Sequence, residues 1–417
     1  VAFWDSEWYY RVATQGYPDS ISLPIGQDGR VGQNTWAFMP IYAYLSGGLA
    51  KLLSANYYAC AVVVAWLGSA LAALGLDAWM RPRVGKAASL LGVAIFFTCG
   101  PAIILQLPYA ESLGLALVAI GFAVLAKRRF AWAMVVFVLA AFTRPIGVPL
   151  GAALGLWWVW EELRARGLIS TSRFDASFSS ARVYADADPY AANYDAAVPV
   201  PNEAAIASFE TAPDLTASSS FEAAPPAAVP APPSETLPTP APAPAPPALP
   251  SFTPMDLSPM PLSSKDRLWL FVTAIVTCAA ALTWPLLAWI ATGRMSAYVD
   301  TETAWRGVDL APFEAWINRS ASFGGTHAGV IGLFGVLVLS VCVLSWPQLR
   351  QLGRLTWMWC VCYWVYLLIF FDPSSSVFRM LLMVAPLAWA VAVKLVSRPR
   401  AALAVLTVGV VTQVLWV

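Results

Sequence analysis

A chain of 417 residues that is 59% hydrophobic and only 12% charged does not fit a soluble domain, where about 25% of residues are charged. With 20 Trp and 20 Phe as well, the expected solvent for much of the chain is lipid, and the expected fold class is all-α: a polytopic transmembrane helical bundle. The net charge of +1 conceals a segregation, because residues 170–264 hold ten acids and two arginines while the rest holds 23 bases and 14 acids. That basic excess is spread over short connections, so it reads as a topology signal and excludes a nucleic-acid patch.

Apolar runs that suit a span of roughly 20 residues fall at about 57–80, 87–107, 109–126, 267–291, 327–346, 355–371, 379–396 and 401–417. The stretch 131–160 is interrupted by Thr143-Arg144-Pro145 and reads as two half-helices that enter and return on one side. The stretch 36–53 is aromatic and carries Pro40 and Gly47-Gly48, which favours an interfacial or partly embedded helix. Val1 stands almost at a motif and Val417 lies inside an apolar run, so the sequence is expected to continue beyond both ends.

The connections separate by charge. The basic ones are Arg81 to Lys86, Lys127 to Arg129, Arg164 to Arg166, Lys265 to Arg267, Arg350 to Arg354 and Lys394 to Arg400. Counting spans alternately puts all of them on one side, which the positive-inside rule makes cytoplasmic. The other side receives residues 1–35, the 107–110 turn, the 292–326 loop and the 371–379 turn, and these hold the unusual polar residues. Residues 166–264 form the connection between an N-terminal module, 1–165, and a C-terminal module, 265–417. Most of that connection is low in complexity, with Pro-Ala-Pro-Ala-Pro-Ala-Pro-Pro at 240–247. It is expected to be a disordered cytoplasmic linker, partly polyproline II, or a docking site for a partner.

The six cysteines, Cys60, Cys99, Cys278, Cys342, Cys360 and Cys362, all lie in apolar segments. They read as buried thiols, and with His327 the single histidine no metal site is expected.

Six places hold residues suited to chemistry. Asp5 sits among Trp4, Trp8, Tyr9 and Tyr10 just past a membrane boundary. A carboxylate there serves either as a general base or as a helix cap in the headgroup region. Tyr9 falls one helical turn further on the same face. Gln33-Asn34-Thr35 leads into an aromatic stretch that either lines a groove or anchors the interface. Glu111, in Pro108-Tyr109-Ala110-Glu111-Ser112, enters the membrane edge, where an ionisable group is costly and a role is the default reading. The rival is a carboxylate at a helix N-terminus, favoured by the dipole. Arg144 at the half-helix break needs an anion: a phosphate, or a structural ion pair with Glu111 or Asp5. Arg379 opens a helix on the same side and is a second candidate for a lipid phosphate. The 292–326 loop, with Arg294, Tyr298, Glu302, Trp305, Arg306, Asp309 and Arg319, suits a sugar or headgroup pocket, although most of these residues are expected to be solvated.

Trp4-Asp5-Ser6-Glu7, then Ala13 to Gly16-Tyr17, then Ala37-Phe38-Met39-Pro40-Ile41-Tyr42 resemble the PIG-V mannosyltransferase family. Tyr109-Ala110-Glu111-Ser112 and Thr143-Arg144-Pro145-Ile146-Gly147 resemble two further blocks of that family, in the same order. Together they cover about residues 3–150. Met39 and Ala43 depart from the family pattern, and the Pro/Ala insert with the Ala-rich composition points to a bacterial, actinobacterial-type member.

The resemblance implies a GT-C glycosyltransferase with extracytoplasmic loop helices. Such an enzyme moves mannose, with inversion, from polyprenyl-phosphate mannose to a glycolipid, glycan or protein acceptor at the outer face of the plasma membrane. Asp5 takes the place of the catalytic base. Arg144 and Arg379 are expected on the donor phosphate, Glu111 and Asn34 on sugar or acceptor, and Glu7, Tyr9 and Tyr109 complete the substrate-binding set. No cofactor or metal is implied beyond the donor itself. Two other classes stay open, a transporter or flippase of lipid-linked sugars and a membrane scaffold. Convergence of Asp5, Glu111 and Arg144 on one cavity is the feature that separates the enzyme from both.

Overall fold

The computed structural model describes residues 4–21, 30–169, 262–307, 311–374 and 376–416. The stretch 170–261, expected to be disordered, and Asp309 lie outside the described residues.

The described chain is helical, with no strand. Its first half holds α1 (Asp5–Gln15), a 3-10 turn (Thr35–Ala37), α2 (Pro40–Leu53), α3 (Tyr57–Val84), α4 (Lys86–Thr98), a second 3-10 segment (Gly100–Gln106), α5 (Glu111–Ala126), α6 (Phe130–Ala141) and α7 (Gly147–Ala165). The second half holds α8 (Ser264–Thr292), α9 (Ala297–Arg306), α10 (Glu314–Leu344), α11 (Pro347–Gln351) and α12 (Arg354–Phe370). It continues with α13 (Val377–Met380), a third 3-10 turn (Leu381–Val384), α14 (Pro386–Leu395) and α15 (Pro399–Trp416).

Among the described residues, four helices are long and apolar enough to cross a membrane: α3, α8, α10 and α15. Two bent pairs raise the number to six if each is one span. At 28 residues, α3 is about 42 Å long, more than the roughly 30 Å of a bilayer core. The 14 residues of α2 reach only about 21 Å, in keeping with a helix that does not span. Every predicted span coincides with helix, but two are not straight. The segment expected at 87–107 bends by 82° between α4 and the following 3-10 segment. The segment expected at 379–396 bends by 67° before α14. Proline explains both positions. Pro101 and Pro386 each open the second piece of their pair, where a missing N–H costs no bond but the preceding helix cannot continue through. The helix expected at 327–346 is the second piece of α10; a shorter piece from Glu314 precedes it, and the two are separated by a break at Gly324-Gly325, where Gly325 has φ 76°.

The core is aromatic. Trp79 stacks on Phe122 at 4.6 Å between ring centroids, and Phe122 meets Phe137 edge-on and tilts against Trp359. All four are fully buried. By contrast Val330, Ile331 and Phe334 of α10, and Val408, Val411 and Val414 of α15, are exposed. Apolar faces this large suit lipid contact. Cys342, expected to be buried, is exposed on α10.

The two sets of connections gather at two ends. At one end Arg128 meets Asp266 at 3.1 Å, Arg267 and Arg166 share Glu162, Arg354 covers the Trp160 ring, Lys394 covers Trp346, and Arg83 lies over Gly353. All six basic connections are represented there. At the other end Asn34 meets Thr301, Trp36 meets Trp284, and Arg319 meets Asp372. The basic connections that loop charge groups together are thus also neighbours in the fold.

Helices α3 and α5 run parallel, since Gly68 lies on Ser112 and Leu113 while Gly75 lies on Ala119 and Ile120. A methyl group at Gly68 would come within 2.9 Å of the Leu113 nitrogen and of the Ser112 oxygen. Backbone cannot yield there as a side chain can. Gly68→Ala is expected to cost roughly 1–3 kcal/mol through overpacking, seen as a lower unfolding temperature of the detergent-purified protein by tryptophan fluorescence. An unchanged temperature would show that α5 can slide.

Candidate functional site

Four charged side chains from four parts of the chain meet between α1, α5, the α6–α7 break and α13. Their positions follow from local sequence. Asp5 opens α1, where an acid is favoured by the free N–H groups and the dipole of the first turn. Glu111 opens α5 for the same reason. Arg144 lies in the non-helical link between α6 and α7, ahead of Pro145. Arg379 sits on the four-residue α13, between the irregular residues 371–373 and the third 3-10 turn.

The four form a row of alternating sign. Arg379 Nη1 lies 2.5 Å from Asp5 Oδ2, Arg379 Nε lies 3.4 Å from Glu111 Oε1, and Arg144 Nη1 lies 2.8 Å from the same Glu111 oxygen. Arg144 Nη2 also reaches Met380 Sδ at 2.9 Å. The Arg379 guanidinium stands over the Tyr109 ring at 5.6 Å. Tyr9, one turn after Asp5 and 3% exposed, lies within electrostatic reach of all four charges. Among the described residues, both Glu111 oxygens and the Nε atoms of Arg144 and Arg379 are buried without a hydrogen bond.

Exposure grades along the row. The Glu111 side chain is 0% exposed and that of Arg144 9%, while Asp5 and Arg379 show 16% and 18%. Burial is the largest influence on Asp5 and raises its pKa. Arg379 opposes that shift, Glu111 adds to it, and Arg144 opposes it again. The net direction is upward, which gives a stronger base than an exposed carboxylate.

The other predicted residues are placed as follows. Tyr9, Tyr109, Glu111, Arg144 and Arg379 join Asp5. For Arg144, the structure displays the ion pair with Glu111 that stood as the rival to a phosphate contact. Asn34 lies outside the row. Its side chain caps the first 3-10 turn at Trp36, donates to Thr301 at 2.9 Å, and its carbonyl accepts from Trp305. It ties the first loop to α9. Glu7 is turned away as well, paired with Arg11 at 2.6 Å on the half-exposed face of α1.

A second polar group adjoins the row. Glu302 of α9 is half-buried, 3.5 Å from Arg306, and accepts from the Tyr298 hydroxyl. Arg306 also donates to the Phe370 carbonyl. Burial raises the Glu302 pKa, with Arg306 and the Tyr298 bond opposing, and Arg144 is near enough to oppose it too. These residues were expected to be solvated; burial of α9 against the first 3-10 turn and α8 corrects that. Trp305 and Trp8 meet edge-on at 4.9 Å beside Phe38, so an aromatic wall runs from α1 to α9.

The arrangement can hold an anion against arginine and offer a carboxylate base beside it. Helices of this length and apolarity, with exposed aliphatic faces, make the protein a membrane protein. The chain matches no family model, no curated protein and no solved structure.

Proposed function

We propose that the protein is an inverting mannosyltransferase of the PIG-V, GT-C type that uses polyprenyl-phosphate mannose at the outer face of the plasma membrane. The observation that carries this reading is the convergence of Asp5, Glu111, Arg144 and Arg379. They come from separate blocks and meet at the end opposite the basic connections. On this reading Asp5 takes the proton of an acceptor hydroxyl as that oxygen attacks the anomeric carbon. The bond from that carbon to the phosphate oxygen breaks, and the electron pair leaves with the polyprenyl phosphate. An arginine beside the phosphate stabilises the charge that develops on it.

A pH dependence follows from Asp5. Its pKa is raised, so the protonated and inactive form persists above the ordinary carboxylate range. As pH falls, kcat/KM should drop through that raised value, with an acid limb at higher pH than an exposed aspartate would give. A rate flat down to the ordinary carboxylate range would remove Asp5 from the base role.

The direct test is incubation of the membrane-embedded protein with labelled polyprenyl-phosphate mannose and a lipid extract, with identification of the product. A second reading, a carrier or flippase of lipid-linked sugars, draws support from the two bent segments, one in each half. The same experiment separates them, because a carrier moves labelled donor between leaflets and makes no new mannoside.

A further inference from the structure

Arg144 and Arg379 are both arginines beside Glu111, but they are held differently. Arg144 is boxed in on every side the structure shows. It has Glu111 at 2.8 Å, the Met380 sulfur at 2.9 Å, and Gly114 against its stem, where even a methyl group would lie 2.9 Å from Cγ. To reach a phosphate it would abandon Glu111, whose side chain is 0% exposed. A carboxylate left there without a counter-ion is heavily penalised. Arg379 is different. It sits on a four-residue helix, keeps 18% of its side chain exposed, and is paired with an Asp5 that is itself 16% exposed. When Arg379 releases Asp5, the freed carboxylate can still reach water.

Building on the mannosyltransferase reading, we infer that Arg379, and not Arg144, takes the phosphate of the lipid-linked donor, and that it releases Asp5 in doing so. Asp5 and the phosphate compete for one guanidinium. Without donor, the base is occupied by Arg379. With donor, an anion is exchanged for an anion, the local charge balance is kept, and Asp5 is left free to accept a proton. Glu111 and Arg144 remain fixed and form the floor on which the exchange takes place. Donor binding thereby precedes competence for the acceptor.

The test measures binding of undecaprenyl monophosphate to the full chain in lipid nanodiscs. Asp5→Asn removes the competing charge, so it should bind this lipid roughly five- to tenfold tighter than wild type, the scale of a partly exposed ion pair. Arg379→Gln should weaken binding by about tenfold or more, and adding Asp5→Asn to it should change nothing further. Equal or weaker binding by Asp5→Asn, with Arg379→Gln still impaired, overturns the exchange and leaves the transferase reading standing. Absence of binding by wild type and both variants overturns the lipid-phosphate reading and this inference with it. If Asp5→Asn does not yield folded protein, wild type supplies the answer. Modification of Asp5 by dicyclohexylcarbodiimide, read by peptide mass spectrometry, should rise severalfold on adding the lipid, because a carboxyl released from arginine is more readily protonated. Labelling that the lipid leaves unchanged overturns the inference.

Discussion

Asp5→Asn is expected to lower mannosyl transfer by about 10²- to 10⁴-fold, the range supplied by a positioned general base. The substitution keeps the size of the side chain, and the amide oxygen can still accept from Arg379. On the proposed mechanism, what is lost is the ability to take the acceptor proton. The split between constants carries the argument. A base removed from the transition state should depress kcat, while donor KM should stay level or fall because Arg379 is no longer shared with a carboxylate. A structural role for Asp5 would give another pattern, with lower unfolding temperature and a raised donor KM at similar kcat. Transfer at the wild-type rate by a folded Asp5→Asn protein would end the base assignment. The measurement needs only labelled donor and a crude acceptor fraction, because kcat and donor KM are compared at one acceptor level.

What the sequence reveals, and what it conceals, follows from how each property is encoded. Loop charge is written locally and charges are scarce here, so the two ends of the bundle are legible before any fold is known. The contact of Arg128 with Asp266 and of Arg267 with Glu162 realises that sorting. The meeting of Asp5, Glu111 and Arg144 is foreshadowed by their common side. The partner of Arg379 is not foreshadowed, since Asp5 lies 374 positions away and no local pattern links them. Hydropathy measures length and apolarity but not direction, which is why the bends near Pro101 and Pro386 read as straight spans. Glu302 and Arg306 conceal themselves in the opposite way. Four residues apart on a short helix, they look like a solvated surface pair, and only packing of α9 on the first loop withdraws them from water. Asn34 shows the same limit: its residue type suits a sugar contact, while its neighbours make it a cap and a tie to Thr301.

The buried pair of Glu111 and Arg144 carries the second large expectation, and it concerns stability. Glu111→Gln removes the carboxylate paired with the Arg144 guanidinium, 9% exposed, and leaves the Met380 sulfur 2.9 Å from Nη2. Breaking a buried ion pair from one side costs about 3–5 kcal/mol, which should appear as a pronounced fall in unfolding temperature in nanodiscs or detergent. Replacing both members with apolar residues of similar shape, as in Glu111→Leu with Arg144→Met, should recover most of that loss, because no charge is left unpaired. The two variants together separate stability from chemistry. In the double variant Arg379 loses Glu111 but keeps Asp5, so its guanidinium is held by the base alone. Donor phosphate then competes with an undivided Asp5–Arg379 pair, and transfer should remain impaired in a protein whose stability has returned. Recovery of stability and transfer together would make the pair a scaffold only. A single variant that unfolds at the wild-type temperature would show instead that Arg144 finds another anion, with Asp5 and Glu302 both within electrostatic reach.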